Sequence, residues 1–285
     1  MDKNTEILHY AEWQCGANVL KFVKPLIMGI LNLTPDSFFD GGKYTTVESV
    51  LKRTAQMLAE GADIIDLGAV STRPGADNID EETELERLIP ILKILVKVFP
   101  ETVFSVDTYR SAVVKAVYNE GAGIINDISA GSMDAKMFDA VAETGLPYIL
   151  MHMQGTPQIM QKNPYYDDVV DDVKLFFEEK IATLTEKGIR QIAVDPGFGF
   201  GKTLEHNYLL LKELKTFTKT GFPVLAGLSH KSMIWKVVGK DKSSTLTGTT
   251  ALNTIALQNG ASILRVHDVK EAAEIVMLFE QLQKS

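Results

Sequence analysis

Short apolar segments recur along the chain, and most of them end in a polar or charged residue. The stretches between them repeat apolar residues about every 3.6 positions, which is the period of an amphipathic helix. The eight segments are LIMGIL before Asn32, ADIIDLG leading to Ser71, TVFSV before Asp107, GII before Asn126 and Asp127, YILM before His152, IAV before Asp195, VLAGLS leading to Lys231, and SILRV before His267. Such alternation predicts parallel strands joined by helices.

The predicted helices fill the intervals between these segments. They are expected from just after Thr46 to Gly61, from about Glu81 to Phe99, and over 110–120, 134–144, 167–187, 204–219, 246–259 and 268–283. The first helix is predicted to face the core with Val47, Val50, Leu51, Thr54 and Leu58. Glycines suited to a left-handed helix end follow several of the helices, namely Gly121, Gly145, Gly188, Gly221 and Gly260.

Eight strand–helix units favour a closed barrel over an open sheet. We therefore predict a single (β/α)8 TIM barrel domain over residues 1–285, with a short N-terminal extension. In that extension, Trp13, Val19 and Phe22 are expected to form a hairpin over the barrel bottom. Because the C-terminal ends of barrel strands open on one face, the polar residues that end the strands should converge into one pocket.

Composition narrows the choice of compartment and partner. Of the 285 residues, 45% are hydrophobic and 23% are charged, so the chain has enough apolar material for a large core. The net charge of −8 argues against a nucleic-acid partner but allows a local basic pocket for an anion. The only cysteine is Cys15, which excludes an intrachain disulfide and suits a reducing compartment. No segment has the length and apolarity of a membrane span or secretion signal, so we expect a cytoplasmic protein without a membrane partner.

Eight segments at or near the predicted strand ends carry distinctive motifs. They are MGILNLTPDSFFDGG from Met28, DLGAVSTRPGA from Asp66, SVDT from Ser105, INDISAG from Ile125, LMHMQGTP from Leu150, DPGFGFGK from Asp195, LSHKSMI from Leu228 and RVHDV from Arg265. Together and in this order they resemble the dihydropteroate synthase family of pterin-binding barrels. The resemblance implies a transferase of folate biosynthesis that joins p-aminobenzoate to 6-hydroxymethyl-7,8-dihydropterin pyrophosphate, giving 7,8-dihydropteroate and pyrophosphate.

A pterin ring presents adjacent N–H donors, which a buried carboxylate accepts in a strong bidentate pair. Asp107, Asn126 and Asp195 have the chemistry to read this edge. A single aspartate at a strand end could instead cap the following helix, and Asn126 next to Asp127 could form a turn, so the complete set of motifs is what favours pterin. The resemblance implies that the pterin is bound by Asp107, Asn126, Ile128, Met151, Asp195, Phe200, Gly227 and Lys231.

The pyrophosphate leaving group calls for cationic donors and a metal ion. Arginine presents a planar fork to phosphate oxygens, and Mg²⁺ takes few protein ligands when phosphate and water complete its shell. The resemblance implies pyrophosphate contacts from Asn32, Thr72, Arg73, Arg265 and His267, with Asn32 as the Mg²⁺ ligand. Because His267 follows Arg265 by two positions, both should point to the same side of their strand.

The loops after the first two predicted strands are expected to admit the aromatic amine. Ser-Thr-Arg-Pro-Gly is also an ordinary turn composition, so this expectation depends on the resemblance. The residues implied to bind p-aminobenzoate are Phe38, Ser71, Thr72, Arg73, Pro74, Phe200 and Ser232. Because Phe38, Thr72 and Pro74 are all present, we predict inhibition by sulfonamides, which mimic p-aminobenzoate.

The predicted catalytic residues are Asn32, Asp107, Lys231, Arg265 and His267. A lysine on a barrel strand could instead form a Schiff base. The position of Lys231 at the barrel mouth favours hydrogen bonding to the pterin. The implied mechanism has early departure of pyrophosphate, with Asp107 stabilising the cationic pterin.

Three residues outside these assignments complete the interpretation. Val70 stands where the family often has glutamate, and His230 stands where an arginine usually precedes the lysine. The segment from Val194 to Lys202 matches neither common phosphate-loop spacing, and we expect Lys202 to be solvated.

Two rival functions and an assembly state stay open. A corrinoid methyltransferase acting on methyltetrahydrofolate shares the barrel and the pterin contacts, but it has no pyrophosphate to bind. A non-catalytic pterin binder would bind the ring without turnover. The resemblance also implies a homodimer through the last helices, and the stripe Ala272, Ile275, Val276 and Phe279 could serve as its contact or pack on its own barrel.

Overall fold

The computed structural model describes residues 12–33, 47–71, 79–239 and 245–285. A hairpin of two antiparallel strands precedes eight parallel strands. The hairpin strands are β1 (Glu12–Cys15) and β2 (Asn18–Lys21). The parallel strands are β3 (Leu26–Asn32), β4 (Ile64–Gly68), β5 (Val103–Asp107), β6 (Ile124–Asp127), β7 (Tyr148–Met151), β8 (Ile192–Asp195), β9 (Leu225–Ala226) and β10 (Ile263–Val266).

Helices connect successive parallel strands. They are α1 (Val47–Glu60), α2 (Glu81–Val98), α3 (Ser111–Asn119), α4 (Met137–Thr144), α5 (Val169–Glu186), α6 (Leu204–Lys212), α7 (Lys215–Thr218), α8 (Ser232–Val238), α9 (Leu246–Gln258) and α10 (Val269–Gln283). In the described chain, none of these helices has both the length and the apolar character needed to cross a bilayer.

The eight parallel strands form a (β/α)8 barrel, as predicted. Hydrogen bonding joins them in the order β8-β7-β6-β5-β4-β3-β10-β9. A parallel bridge between Val194 and Val224 joins β8 to the chain just before β9 and closes the ring. Helices cover the outside of the barrel and its side chains fill the inside, so the strands are buried on both faces and read as continuous apolar runs.

The hairpin closes the end of the barrel where the parallel strands begin. Trp13 and Phe22 meet edge to face with ring centroids 4.9 Å apart, and both pack with Leu26 and other residues near the strand starts. The prediction that Val19 covers the barrel bottom is wrong, because Val19 is 47% exposed and its neighbour Leu20 is buried instead. The alternation of β2 decides which of the two faces inward.

Most predicted helix boundaries are within three residues of those observed. The predicted helix over 204–219 is in fact divided into α6 and α7, and the short helix α8 was missed. On α1, Val47 is exposed and Met57 is fully buried, contrary to the predicted inner face. The five glycines expected to end helices all have positive φ, which confirms their role as left-handed residues.

Candidate active site at the carboxyl ends of the strands

The polar residues predicted to converge lie at the carboxyl ends of neighbouring strands. Asn32, Asp107 and Asp195 are the last residues of β3, β5 and β8. Asn126 lies in β6 and Arg265 in β10. Because β6, β5, β4, β3 and β10 are consecutive in the barrel, one face carries these groups within reach of a single ligand.

One buried carboxylate, that of Asp66 on β4, connects Arg265 on β10 with Asn126 on β6. Its Oδ2 accepts a 2.7 Å hydrogen bond from Nε of Arg265 and a 3.1 Å bond from the amide of Asn126. Arg265 Nη2 also donates to Oδ2 of Asp107 at 2.9 Å. The guanidinium is thereby fixed between two carboxylates, and the Asn126 amide is oriented by the same Asp66 oxygen.

Burial raises the pKa of Asp107 to about 7. Arg265 lowers this pKa and nearby Asp66 raises it further, but the loss of water around the carboxylate is the largest effect. Asp107 is therefore partly protonated near neutral pH when no ligand is present. A ligand that offers N–H donors or positive charge would favour its ionised form.

A glycine-rich loop follows Asp195 and turns back over the site. The Asp195 carboxylate accepts a 2.7 Å hydrogen bond from the Gly197 backbone N–H. Burial raises the pKa of this carboxyl group, while the Gly197 hydrogen bond and the charge of Lys231 lower it in part. Gly197 has φ +70°, and a Cβ there would overlap the carbonyl oxygen of His152. Only glycine permits this close approach of the two loops.

Lys231 lies at the mouth of the barrel, immediately before α8. Its Nζ is 4.3 Å from the ring centroid of Phe200, a cation–π distance. Burial lowers the pKa of Lys231 to about 8, with the carboxylate of Asp195 opposing that change. Gly227 follows β9, and a Cβ at that position would meet no atom within 4 Å. The space beside it is open to a ligand.

An apolar floor forms next to these polar groups. Ile128 and Met151, both predicted to contact pterin, are each 3% exposed. They pack into one cluster with the ring of Tyr109, and Phe200 lies against that cluster. A flat aromatic ligand would find carboxylates at its edge and this cluster at its face.

Of the predicted pyrophosphate residues, Asn32 lies on β3 and Arg265 on β10, while Thr72 and Arg73 lie outside the described residues. A Cβ on Gly68 would come within 3.5 Å of Oδ1 of Asn32 and 3.9 Å of Oδ2 of Asp107, so this glycine leaves room between them. His267 follows β10, and its backbone N–H donates to the Ser229 hydroxyl at 3.2 Å. The Asn32 amide oxygen borders this space, and Arg265 is held beside Asp107.

The predicted p-aminobenzoate residues fall largely in segments outside the described part of the chain. Phe38, Thr72, Arg73 and Pro74 all lie there. Ser71 is described and is half-buried just past β4. Ser232 lines a cavity of about 240 Å³.

Comparison with known proteins decides the family. The model of the pterin binding enzyme family matches residues 28–267, which is most of the chain. The chain belongs to the pterin-binding enzyme family. It is 46% identical over 258 residues to the dihydropteroate synthase of Escherichia coli strain K12, covering 90% of this chain and 91% of that relative.

Solved structures of pterin-binding enzymes superpose on the same barrel. The dihydropteroate synthase of Yersinia pestis, in a complex with a sulfonamide drug, matches with a TM-score of 0.90 and 40% identity, covering 96% of this chain and all of that one. The dihydropteroate synthase of Xanthomonas albilineans with 4-aminobenzoic acid also has a TM-score of 0.90 and 40% identity, covering 96% of this chain and 99% of that one. The predicted family and barrel are thereby confirmed.

Within this family site, sequence reasoning missed Asp66 and misjudged Lys202. Asp66 is fully buried and oriented toward the guanidinium of Arg265, although it lies inside an apolar strand rather than at its end. A charged residue in the middle of a buried strand is the signal that could have identified it. Lys202, expected to be solvated, is 4% exposed. Its burial results from two loops meeting, which no local pattern predicts.

His230 occupies the position before Lys231, where the family resemblance led us to expect an arginine. Its Nε2 is 2.8 Å from Oδ2 of Asp268, and its other ring nitrogen contacts the Thr245 hydroxyl. The ring lies 5.7 Å from that of His267. His230 has φ +55°, a left-handed conformation uncommon outside glycine, so the surrounding contacts hold it in place.

Proposed function

We propose that this transferase joins p-aminobenzoate to 6-hydroxymethyl-7,8-dihydropterin pyrophosphate. The products are 7,8-dihydropteroate and pyrophosphate, as in dihydropteroate synthases, the relatives it matches over most of their length. The observation that carries the proposal is the contact of Asp107 with Arg265, whose guanidinium shares one Asp66 oxygen with the Asn126 amide. A pterin edge and an anionic leaving group can therefore be bound at adjacent points.

The pterin is proposed to lie on the apolar floor of Ile128 and Met151. Its N–H donors would pair with the carboxylates of Asp107 and Asp195. Both carboxylates are buried, so the pterin would supply hydrogen bonds that solvent cannot easily provide. Lys231 would donate to a pterin acceptor while its ammonium stays against the Phe200 ring. Tight orientation of the ring then aims its exocyclic methylene group at the arylamine.

Pyrophosphate is proposed to leave toward Arg265, Asn32 and His267. As the carbon–oxygen bond breaks, negative charge grows on the leaving oxygen and positive charge on the pterin methylene. The guanidinium is already oriented by Asp66, so little reorganisation is needed to stabilise the anion. The Asp107 carboxylate, ionised once the pterin binds, would stabilise the cationic ring.

Asn32 is proposed to bind the Mg²⁺ that accompanies pyrophosphate. Its neutral amide oxygen borders the space that a Cβ on Gly68 would fill, which suits an ion that takes few protein ligands. When bound, the ion would neutralise charge on the departing phosphates. Among the described residues, no cluster of three or more acidic, histidine or cysteine side chains offers an alternative metal site.

The arylamine is proposed to attack the methylene carbon after pyrophosphate departs. Its nitrogen lone pair forms the new carbon–nitrogen bond, and the nitrogen then releases one proton to water. Relatives support this substrate, because the Xanthomonas albilineans enzyme holds 4-aminobenzoic acid. No covalent bond to the protein is required.

The decisive experiment measures product with the purified protein, both substrates and Mg²⁺, and repeats it after chelation. We expect dihydropteroate and pyrophosphate in equal amounts, and loss of both with chelator. Asp107→Asn should lower kcat at least about a hundredfold. Glu179→Gln, at an exposed carboxylate on α5, is the matched control and should retain full activity.

A sulfonamide added at increasing concentration should compete with p-aminobenzoate. The relative from Yersinia pestis is known in complex with such a drug. An apparent KM for p-aminobenzoate that does not rise with the drug would contradict this part of the proposal. Pterin binding without turnover would instead favour a non-catalytic binder, and cobalamin binding would favour a methyltransferase.

We further propose a cytoplasmic homodimer. The single cysteine, Cys15, is buried, and burial raises the pKa of its thiol to about 12, so it is unreactive and does not require an oxidising compartment.

The stripe Ala272, Ile275, Val276 and Phe279 packs on its own barrel. A dimer contact on α10 would therefore use its exposed residues Met277, Leu278 and Leu282 instead.

A further inference from the structure

Lys202 is a buried lysine that the proposed chemistry does not use. Its Nζ lies 3.0 Å from Nδ1 of His152, 3.3 Å from the His152 carbonyl oxygen and 3.0 Å from the Phe200 carbonyl oxygen. An ammonium group has three N–H donors, and these three contacts match them. The side chain therefore links the loop after β7 to the glycine-rich loop after β8.

The contact with Lys202 bears on the tautomer of His152. When Lys202 is protonated it donates to Nδ1, and the histidine proton is then carried by Nε2. Burial lowers the pKa of His152 to about 2, and the charge of Lys202 lowers it further. Burial also lowers the pKa of Lys202 to about 7. The pair is thus a lysine bonded to a neutral histidine and two carbonyl groups.

Phe200 links the Lys202 hydrogen bonds to the proposed substrate pockets. Its carbonyl oxygen is bound by Lys202, and its ring lies 4.3 Å from the ammonium of Lys231. The preceding Gly199 is held from both sides, since its N–H donates to Asn207 at 2.6 Å and its carbonyl accepts from Gln161 at 2.6 Å. The loop is therefore fixed at three consecutive peptide groups, and Lys202 bonds the last of them.

We propose that Lys202 is a positioning residue whose ammonium group, bonded to His152, holds the Phe200 ring between the pterin and arylamine pockets. This inference depends on the proposed function, because it assigns Phe200 to the wall shared by both substrates. Lys202 also lines the cavity that contains Ser232, a predicted arylamine contact.

Stability alone does not account for an ammonium group in this place. No ion pair with a carboxylate of the described residues reaches Nζ of Lys202, so burying its charge is costly even with Asp195 nearby, and an apolar side chain of similar length would avoid that cost. The donors, rather than the apolar stem, are what fix the Phe200 carbonyl. A methionine would keep the volume and lose the hydrogen bonds.

The kinetic test compares Lys202→Met with Lys219→Met, a matched change at an exposed lysine. We expect Lys202→Met to raise KM for p-aminobenzoate and for the pterin pyrophosphate about tenfold each. The inhibition constant of pyrophosphate should change less than about twofold, because its proposed contacts lie on β3 and β10. His152→Asn, whose amide oxygen can replace Nδ1 as an acceptor, should stay within about threefold of the wild type.

A second measurement is independent of turnover. Amide hydrogen exchange over residues 197–201 should accelerate in Lys202→Met and not in Lys219→Met. If the wild-type protein makes no dihydropteroate, the proposed function fails, and the exchange result then decides only whether Lys202 holds the loop at Phe200. Unchanged exchange, unchanged KM values, or a pyrophosphate constant that rises in parallel with them would each overturn it.

Discussion

At the residue scale, Asp107 shows how the site combines reactivity with a cost in stability. It is buried next to the carboxylate of Asp66, and both share the guanidinium of Arg265. Burial and the neighbouring negative charge raise the pKa of Asp107 to about 7 despite that cation. An empty site is therefore strained electrostatically, and a donor-rich ligand relieves the strain.

This electrostatic strain predicts a stability change that depends on pH. Because the pKa of Asp107 rises from 3.8 when unfolded to about 7 when folded, its contribution to stability is full below pH 3.8 and is lost as pH rises through 7. The isosteric change Asp107→Asn removes that dependence. Denaturant unfolding should show the variant more stable than the wild type at pH 8, by at most about 4 kcal/mol, and nearly equal at pH 4.

The control for this experiment is Glu179→Gln, for which the difference from the wild type should be flat between the two pH values. The Asp107 variant should also be inactive, so greater stability would accompany lost catalysis. A variant that is less stable than the wild type at pH 8 would show that the Arg265 pair outweighs burial.

The sequence predicted Asp107, Asn126 and Asp195 at the site because each ends or nearly ends an apolar strand. It did not predict the roles of Asp66 and Lys202. Asp66 acts from within its strand, across the barrel mouth, on a guanidinium 199 positions away. Lys202 is buried because two loops distant in sequence meet around it. Local periodicity carries no information on either meeting.

At the element scale, the glycine-rich loop after β8 depends on backbone approach that side chains would prevent. Gly197 and Gly201 both have positive φ, and each touches the loop after β7. A Cβ on Gly201 would lie 2.5 Å from the carbonyl oxygen of Gln154. The loop is thus a closely fitted part of the wall rather than a flexible phosphate loop.

Gly197→Ala tests this fit against a matched glycine. Gly145 has nearly the same φ, +68° against +70°, but nothing lies within 4 Å of its Cβ position. Gly145→Ala should therefore lower the free energy of unfolding only by the cost of placing alanine in the left-handed conformation, about 1–2 kcal/mol. Gly197→Ala should lose about 1–3 kcal/mol more through overlap with the His152 carbonyl.

Unfolding free energies measure the difference between these two variants, and turnover shows whether it reaches the site. Gly145→Ala should remain active, since Gly145 ends α4 just before β7 begins, and the predicted site lies at the opposite, carboxyl ends of the strands. Equal losses of stability in the two variants would mean that the loop moves away from the His152 carbonyl oxygen at no cost in free energy.

Helix ends and helix faces differ in how well the sequence predicts them. The ends marked by Gly121, Gly145 and Gly260 were predicted because positive φ is a local property of glycine. The break between α6 and α7 has no such marker, because Glu213 and Leu214 continue the helical pattern.

At the scale of the whole molecule, the barrel separates stability from chemistry. The end where strands begin is closed by the hairpin, whose Trp13 and Phe22 pack against the strand starts. The opposite end carries the buried carboxylates, Arg265 and Lys231. Substitutions at the hairpin should therefore act through stability alone, whereas substitutions at the strand ends should also change catalysis.

The outer surface of α10 carries the last prediction, which concerns assembly. Leu278 is 74% exposed, and Met277 and Leu282 are each 60% exposed on the same helix. Apolar residues grouped in this way are costly to leave in water, and a second copy of the chain is the proposed partner. Leu278→Glu should therefore shift the protein from dimer to monomer in sedimentation or light-scattering measurements. The control is Val23→Glu, at a residue 79% exposed beside the hairpin, which should leave the dimer intact. A monomeric wild type, or a Leu278→Glu variant that stays dimeric, would rule out this face as the contact.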